Sequence, residues 1–386
     1  MVTRLDKVVY QASQRLRVSW YGAQKWASGW FSETPMVPPR VRLAMPHRTR
    51  ILRDFEALLT RDWRNIEEGI YCRPETMVDG PMEALRKARL FFADLPRVEA
   101  RRRADANDEV FRITPRGRYP RYYLQNFHYQ TDGYLSRRSA ELYDHQVEVL
   151  FGGGADAMRR QALVPLRRLL GDIGVRRARL LDLACGTGRF LREVKRNYPK
   201  LAVTGLDLSG FYLDAARAHL ARWSGVSLVE APAESVPLPA SGTDIITCIF
   251  LFHELPPKLR HQVVAEMARL LRPGGAVILV DSLQRGDAPD YDSLIDYFPR
   301  AFHEPYYRGY ANEDLTALFA KAGLTLEEAG LAYLAKVMVF RKSGARAHAS
   351  VGGSQGMRAT SMPSSARSRA SSSVASPKMP RALASP

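Results

Sequence analysis

Cysteine is scarce in this sequence, with three residues among 386: Cys72, Cys185 and Cys248. An odd number without metal-ligand spacing argues against a disulfide framework, and no zinc or other metal site is predicted. The chain also lacks an apolar run of membrane-spanning length, and its N-terminus lacks the compact apolar segment and cleavage site of a secretory signal. These absences predict a protein of a reducing compartment, the cytoplasm.

Acidic residues are also few: 40 Asp and Glu stand against 57 Lys and Arg, which gives a formal net charge of +17. Part of this excess lies in residues 342–386, which contain seven basic residues, no acidic residue and almost no large apolar one. Such a segment cannot bury enough surface to offset the entropy of ordering, so it is predicted to be a disordered basic tail. The remaining length suits one large domain with appended segments.

The most informative stretch is Asp182–Gly188, which follows the apolar pair Leu180-Leu181. It predicts a buried strand that ends in a small-residue turn and opens a helix. Glycines permit positive φ and close approach of a ligand to the backbone, and the helix start supplies unpaired N–H donors. The Ala-x-Gly-x-Gly spacing is one residue shorter than the dinucleotide fingerprint, which disfavours a pyrophosphate site. The next predicted strand ends at Asp207, a carboxylate placed to accept both hydroxyls of a ribose.

These residues resemble the class I S-adenosylmethionine-dependent methyltransferases, in particular the ubiquinone and menaquinone C-methyltransferases. Three later segments resemble, in order, the family's adenine-side segment, its fourth strand and the turn before its fifth strand: 233–238, 243–250 and 271–275. The resemblance spans roughly Tyr143 to Phe340, and it implies S-adenosyl-L-methionine as the cofactor.

The resemblance also implies which residues contact the cofactor: Asp182, Ala184, Gly186, Gly188, Asp207, Leu208, Ala233 and Glu234. Two positions depart from the family pattern. The family's first glycine is Ala184 here, and its methyl group slightly restricts the approach of a ligand to the backbone. The position that often holds an Asp for the adenine amine is Pro232, so the adenine is expected to be held by main chain and packing.

The wider pattern predicts the α/β class: a doubly wound, seven-stranded, mostly parallel sheet of the Rossmann-like methyltransferase type, with a helical N-terminal region. Strands are predicted near 179–184, 201–207, 226–230, 244–250, 275–281, 324–329 and 334–340, the last two as an antiparallel edge pair. Helices are predicted over 50–69, 82–93, 143–150, 158–170 and 257–272. Residues 141–341 are thus the predicted methyltransferase domain.

Two regions precede that domain. Residues 1–34 predict one amphipathic helix, and because both a membrane surface and the protein's own core suit its apolar face, residues 1–31 are a candidate peripheral membrane contact. Residues 35–140 are predicted to be a helical and aromatic region that covers the active site as a lid. Within it, residues 97–121 hold eight arginines against four acidic residues and run into several tyrosines, a pattern that also suits RNA. The lid is favoured because the aromatics are too dense to be left exposed.

Methyl transfer from a sulfonium is an in-line displacement, so the protein must hold the reactants collinear in a water-poor pocket. His253, which follows the fourth strand, is the candidate catalytic base because the ordinary pKa of histidine is near neutral; the alternative is a structural hydrogen bond. The candidate acceptor pocket consists of aromatic and polar residues in irregular segments: Phe127, Tyr129, Phe252, Glu254, His303 and Tyr306. The helix that follows is predicted to be capped by Asn312.

The predicted function is therefore methyl transfer from S-adenosylmethionine to a small, apolar or aromatic metabolite. An RNA methyltransferase that uses the basic segments, and a non-catalytic protein that binds the cofactor, are the alternatives. Nucleic acid is the disfavoured partner because the excess charge outside the tail is modest.

Overall fold

A seven-stranded sheet forms the centre of the protein. The computed structural model describes residues 3–31, 45–75 and 80–344. Its strands are β1 (Arg179–Leu183), β2 (Ala202–Asp207), β3 (Val226–Glu230), β4 (Thr243–Ile249), β5 (Leu271–Ser282), β6 (Leu324–Ala332) and β7 (Ala335–Lys342). Their order across the sheet is β3-β2-β1-β4-β5-β7-β6. Strands β1 to β5 are parallel, whereas β7 pairs antiparallel with both β5 and β6.

The predicted fold class is confirmed by this topology. All seven predicted strands are present, and the last two form an antiparallel pair that includes the sheet edge. Strands β1 and β4 are buried along almost their whole length because helices cover both sides of the sheet. The strand order reverses between β1 and β4, so a crevice opens at the carboxyl ends of these strands.

Helices pack on both faces of the sheet and form the N-terminal region. They are α1 (Arg4–Ser28), α2 (Arg48–Glu67), α3 (Pro81–Ala104), α4 (Glu109–Ile113), α5 (Arg137–Leu150), α6 (Ala155–Arg160), α7 (Leu163–Ile173), α8 (Arg189–Asn197), α9 (Gly210–Leu220), α10 (Pro257–Leu270), α11 (Asp292–Ala301), α12 (Tyr307–Ala311) and α13 (Leu315–Lys321). Short 3₁₀ turns at 121–123, 127–129 and 252–254 build the upper edge of the crevice.

Two helix predictions are wrong. Helix α3 does not end at residue 93 but continues through Pro96 to Ala104. A proline removes one helical hydrogen bond, yet buried residues on both sides of it, Phe91 and Val98, hold the helix against the protein. Helix α13 is capped by Asp314 rather than by Asn312, because the Asp314 side chain accepts the N–H of Ala317.

The N-terminal helices share the hydrophobic core of the sheet. Tyr10 of α1 and Leu58 of α2 belong to the same buried cluster as Leu180 of β1 and Ile245 of β4. All described residues form one compact unit. The predicted boundary near residue 140 is therefore not marked by a break in packing among the described residues.

The predicted basic tail lies outside the described residues, except for its first three positions. Lys342 ends β7, and its ammonium donates to the carbonyls of Ala268 and Leu271 at 2.6 and 2.7 Å. Part of the predicted segment 1–34, residues 1–2 and 32–34, also lies outside them. Across the described ranges, no helix is both long and apolar enough to cross a bilayer.

Candidate active site

A cleft of about 750 Å³, including its open mouth, lies at the carboxyl ends of β1, β2 and β4. Its floor consists of Asp207, the last residue of β2, and of small or apolar residues that follow β1, β2 and β3: Ala184, Gly186, Leu208, Ala231 and Ala233. Seven aromatic residues line much of the rest of the wall: Tyr122, Tyr123, Phe127, Tyr134, Tyr143, Tyr212 and Phe250. Predicted cofactor contacts Ala184, Gly186, Asp207, Leu208 and Ala233 thus lie together, under an aromatic cover.

The glycine turn leaves open space above its backbone. Ala184, Gly186 and Gly188 all have positive φ, at 59°, 54° and 72°. A Cβ on Gly186 would meet nothing nearer than a Tyr212 ring carbon at 4.0 Å, so a ligand can approach the backbone there. A Cβ on Gly188 would meet α9 at 3.0 to 3.3 Å, so this glycine serves helix packing.

Asp207 braces the same turn. Its carboxylate accepts the N–H of Gly186 at 2.8 Å and the N–H of Ser209 at 2.9 Å. Burial raises the pKa of Asp207 to about 6, so the group is ionised at neutral pH. Because each carboxylate oxygen has two acceptor sites, Asp207 can also accept the hydroxyl groups of a ribose in the cleft.

Three predicted cofactor contacts do not line the cleft. Asp182 lies beneath the floor, where it accepts the Thr247 hydroxyl at 2.6 Å and where burial raises its pKa to about 7. The carboxylate of Glu234 accepts the Tyr122 hydroxyl at 3.0 Å. The third is Gly188. For these three, cofactor contact stays a prediction.

His253 is buried behind the cleft wall. Its Nδ1 lies 2.6 Å from Asp281, whose carboxylate also accepts the N–H of Phe252 at 2.7 Å. Although burial opposes a positive charge, the Asp281 carboxylate raises the pKa of His253 to about 10. The imidazole therefore holds its proton at neutral pH, which is the wrong state for a base. The base role of His253 stays a prediction.

Only two of the predicted acceptor-pocket residues, Phe127 and Glu254, line the cleft. The other four are engaged elsewhere. Phe252 stacks against Phe319, the Tyr129 hydroxyl donates to Asp105 at 2.9 Å, and His303 pairs with Gln125 at 3.1 Å. Tyr306 lies near Phe127, with ring centroids 6.5 Å apart.

A second cavity of about 1030 Å³, including its mouth, lies beside the cleft, and we call it the apolar pocket. Its walls come mainly from α3 and α5, with Phe91, Leu95, Val98, Val147, Leu150 and Phe302 among the apolar residues and His128 and Gln130 among the polar ones. Tyr143 lines both cavities. Sequence reasoning missed this pocket because its residues are far apart in the chain.

A cluster of three ionisable side chains connects the two cavities. His128 lines the apolar pocket, Glu254 lines the cleft, and Glu304 is buried beside both. One ligand atom from each lies within 4.8 Å of the other two, and His128 Nε2 is 2.9 Å from Glu304 Oε1. Such a group can share a proton or hold a divalent cation.

Several arginines of the basic segment 97–121 are already paired. Arg101 and Arg102 form ion pairs with Glu109 and Glu99 at 2.5 and 2.6 Å. Arg112 pairs with Asp108 at 2.8 Å. These pairs reduce the charge that the segment offers to a phosphate backbone.

The class of this domain follows from the sheet order, the glycine turn with Asp207, and one family comparison. A family model described as a methyltransferase domain matches residues 180–275. Residues 180–275 therefore belong to a methyltransferase domain, and its sheet order is that of the class I S-adenosylmethionine-dependent enzymes, whose methyl donor is S-adenosyl-L-methionine.

Curated relatives share this part of the chain. A demethylmenaquinone methyltransferase from Deinococcus radiodurans is 36% identical over 104 residues, which cover 27% of this chain and 42% of that protein. One from Staphylococcus aureus is 32% identical over 120 residues, which cover 31% and 49%. The chain thus spans less than half the length of these relatives, so its own substrate does not follow from theirs.

Among solved structures, a 1,6-didemethyltoxoflavin-N1-methyltransferase from Burkholderia thailandensis, with S-adenosylhomocysteine bound, is similar at a TM-score of 0.38 and 21% identity. The match covers 52% of this chain and 84% of that one. At that score the likeness adds no argument about function.

Proposed function

We propose that this protein transfers a methyl group from S-adenosylmethionine to a small apolar or aromatic metabolite in the apolar pocket. The observation that supports the proposal best is the adjacency of the two cavities, which share Tyr143 as a wall. In-line displacement needs donor and acceptor to approach from opposite sides of one methyl carbon. Two pockets that lie next to each other at Tyr143 are compatible with that approach.

The residues of the cleft fit the donor. Asp207 accepts the ribose hydroxyls, and the open backbone at Gly186 faces the methionine part. The backbone of the predicted adenine segment, from Ala233 on, holds the base. The sulfonium supplies an activated methyl group, so the remaining task of the protein is to orient the acceptor and exclude water. The aromatic cover, with Tyr134 and Tyr143, excludes water from the cleft.

The lining of the apolar pocket supports a flat acceptor with an apolar part. Most of the exposed wall is apolar, from phenylalanine, leucine and valine side chains, and eight polar or charged residues also line the pocket and can orient a hydroxyl or carbonyl. The two demethylmenaquinone methyltransferases act, by their names, on a molecule of this kind. A quinol-like ring with an apolar substituent is therefore the acceptor class that we propose.

Transfer of label tests the proposal. The protein is incubated with S-adenosylmethionine labelled in its methyl group and with a bacterial extract separated into lipid, small polar and RNA fractions. Label is expected in the lipid fraction, where apolar ring compounds partition. Entry of label into RNA would instead favour the alternative reading of the basic segment. Calorimetric binding of the donor with no label in any fraction would favour a non-catalytic binding protein.

Helix α1 supports a further part of the proposal, which is contact with a membrane surface. Its inward face is mostly polar, with Ser13, Gln14 and Arg17 buried against the protein. Large apolar residues lie on the outward face of the helix, at Leu5, Val8, Leu16 and Trp26, and Trp30 follows in the short 3₁₀ turn at 29–31; all five are 56–70% exposed. Their rings and chains gain nothing from the protein's own core, whereas a bilayer interface would bury them.

Basic residues complete this surface. Arg4, Lys7 and Arg15 are exposed along one edge of the apolar stripe and suit anionic headgroups. Lys25 and Ser28, near the end of the same helix, line the apolar pocket. We therefore propose a cytoplasmic protein whose α1 lies on an anionic membrane and places the pocket near lipid-soluble acceptors.

Vesicle flotation tests this contact. The wild-type protein is expected to float with vesicles of phosphatidylcholine and phosphatidylglycerol, and to bind pure phosphatidylcholine less. The variant Trp26→Ala/Trp30→Ala should bind about tenfold more weakly, because two interfacial aromatic anchors are lost. The matched control is Phe111→Ala, which removes a half-exposed aromatic outside α1. Equal flotation of the wild-type protein and the double variant would refute the contact.

A further inference from the structure

The cluster of His128, Glu254 and Glu304 brings two carboxylates together inside the protein, and Glu304 raises the pKa of His128, its nearest counter-ion. Glu304 is 1% exposed, and among the described residues neither of its carboxylate oxygens accepts a hydrogen bond of good geometry, although His128 Nε2 lies 2.9 Å from Oε1. Glu254 accepts the Tyr134 hydroxyl at 2.7 Å. Two carboxylates this close in a buried place cannot both be ionised without a neighbouring cation or a shared proton.

The cluster lies where a methyl transfer between the two cavities would need a base. Glu254 lines the cleft that would hold the donor, and His128 lines the pocket that would hold the acceptor. A methyl acceptor with an O–H or acidic C–H bond must lose that proton during the transfer. The residue that receives it has to face the point where the two cavities meet, and Glu254 does so.

We infer that Glu254 is the catalytic base of the methyl transfer, with Glu304 and His128 as positioning residues that set its proton affinity. This inference rests on the proposed function. In the step, electrons of the acceptor oxygen or carbon form a bond to the methyl carbon, and the carbon–sulfur bond breaks with its electron pair left on sulfur. The proton of the acceptor passes to the Glu254 carboxylate, and the second product is S-adenosylhomocysteine.

The titration of Glu254 suits this role. Burial, and then the charge of Glu304, raise the pKa of Glu254 to about 7, where a base is half ionised at neutral pH. The groups that face it are Glu304, His253, His128 and the phenols of Tyr123, Tyr134 and Tyr143. His253 Nε2 lies 4.0 Å from Glu254 Oε1, and its positive charge favours the ionised base.

Proton release on donor binding tests the inference without an acceptor. Calorimetry at pH 7 in two buffers of different ionisation enthalpy counts protons exchanged on binding. Because S-adenosylmethionine is a cation, its binding should release, on average, a fraction of a proton from Glu254. S-adenosylhomocysteine, whose sulfur is uncharged, should release less. Glu254→Gln should bind the donor but lose this difference. The control Glu141→Gln, at a partly exposed carboxylate paired with Arg86, should keep it.

The pH profile of methyl transfer to a bacterial total lipid extract is the second readout. The wild-type rate should rise with pH through about 7. Glu304→Gln removes a negative neighbour of Glu254, so the midpoint of this rise should move about one pH unit lower. His128→Asn should move the midpoint higher. With saturating donor, Glu254→Gln should lower the rate at least about a hundredfold, a larger effect than its loss of donor affinity. A merely structural role would lower stability without moving the profile.

Other outcomes separate the claims. Failure of the wild-type protein to bind S-adenosylmethionine would refute the proposed function itself. The base assignment alone would be overturned by two results together. The first is normal donor binding with the same proton exchange in the wild-type protein and in Glu254→Gln, and the second is an unchanged pH profile in Glu304→Gln. A divalent metal found at one ion per chain in the purified protein, and lost in Glu304→Gln, would also overturn it, because the carboxylates would then be metal ligands.

Discussion

Replacement of Asp207 with alanine is expected to lower the affinity for S-adenosylmethionine at least about a hundredfold and to abolish labelled product. Hydrogen bonds to a charged group are each worth about 1.5–3 kcal/mol, so the loss of two ribose contacts reaches or exceeds that factor. The substitution also removes the acceptor for the Gly186 and Ser209 N–H groups, so the glycine turn loses its brace. Titration calorimetry measures the affinity.

Two variants separate ribose binding from folding. Asp207→Asn keeps the shape of the side chain and removes its charge, and Asp214→Asn removes an exposed charge from α9 as the control. Far-UV circular dichroism and urea unfolding verify the fold. Wild-type affinity should fall as pH drops through about 6, where Asp207 gains a proton, and Asp207→Asn should not follow this trend. A folded Asp207→Ala protein with wild-type affinity would refute the ribose assignment.

The fold could be predicted from sequence because its signals are local. Each parallel strand is an apolar run bounded by glycine, proline or a carboxylate, and the loop that follows contains its own turn residues. The prediction of α3 failed at Pro96, where a local breaking signal was overridden by packing of residues on both sides of it. The tertiary contacts that hold such a helix leave no mark on the sequence near the proline.

The difference between local signals and tertiary contacts also explains which parts of the site could be predicted from sequence. Gly186, Asp207, Leu208 and Ala233 follow strands that are neighbours in the sheet, so topology alone brings them together. The apolar pocket and the cluster at Glu304 depend on contacts between segments more than a hundred residues apart, such as His128 with Glu304. Tyr134, Tyr143 and Tyr212 gave no signal because an aromatic residue in a helix or turn is ordinary core material.

A buried charge network links α1 to the glycine turn. Arg17 lies 2.5 Å from Glu148 and 2.7 Å from Asp156. Asp156 also accepts two hydrogen bonds at 2.7 Å from Arg189, the residue directly after Gly188. All four side chains are nearly buried, so each charge depends on the others for solvation. The N-terminal helix thereby fixes the position of the helix that opens the cofactor turn.

Replacement of Arg17 with methionine is expected to lower the free energy of unfolding by about 3–5 kcal/mol, because it leaves Glu148 and Asp156 buried with one cation fewer. Cofactor affinity should also fall. Arg17 and Arg189 both pair with Asp156, so the loss of Arg17 disturbs the contact that holds Arg189 beside the glycine turn. The matched control is Arg168→Met, which breaks a half-exposed pair with Glu328 and should cost less than about 1 kcal/mol. Urea unfolding compares the two, and equal losses would contradict the network.

The pH dependence of this loss identifies its cause. Burial raises the pKa of Glu148, so the folded protein binds a proton there more tightly than the unfolded chain does. With Arg17 absent, protonation of Glu148 removes the uncompensated charge, and the stability deficit of Arg17→Met should shrink as pH falls from neutral toward the unfolded pKa of glutamate. Glu148→Gln in the Arg17→Met background should recover about half of the lost stability at neutral pH. A deficit that is constant with pH and unchanged by Glu148→Gln would mean that Arg17 stabilises the protein by packing rather than by charge.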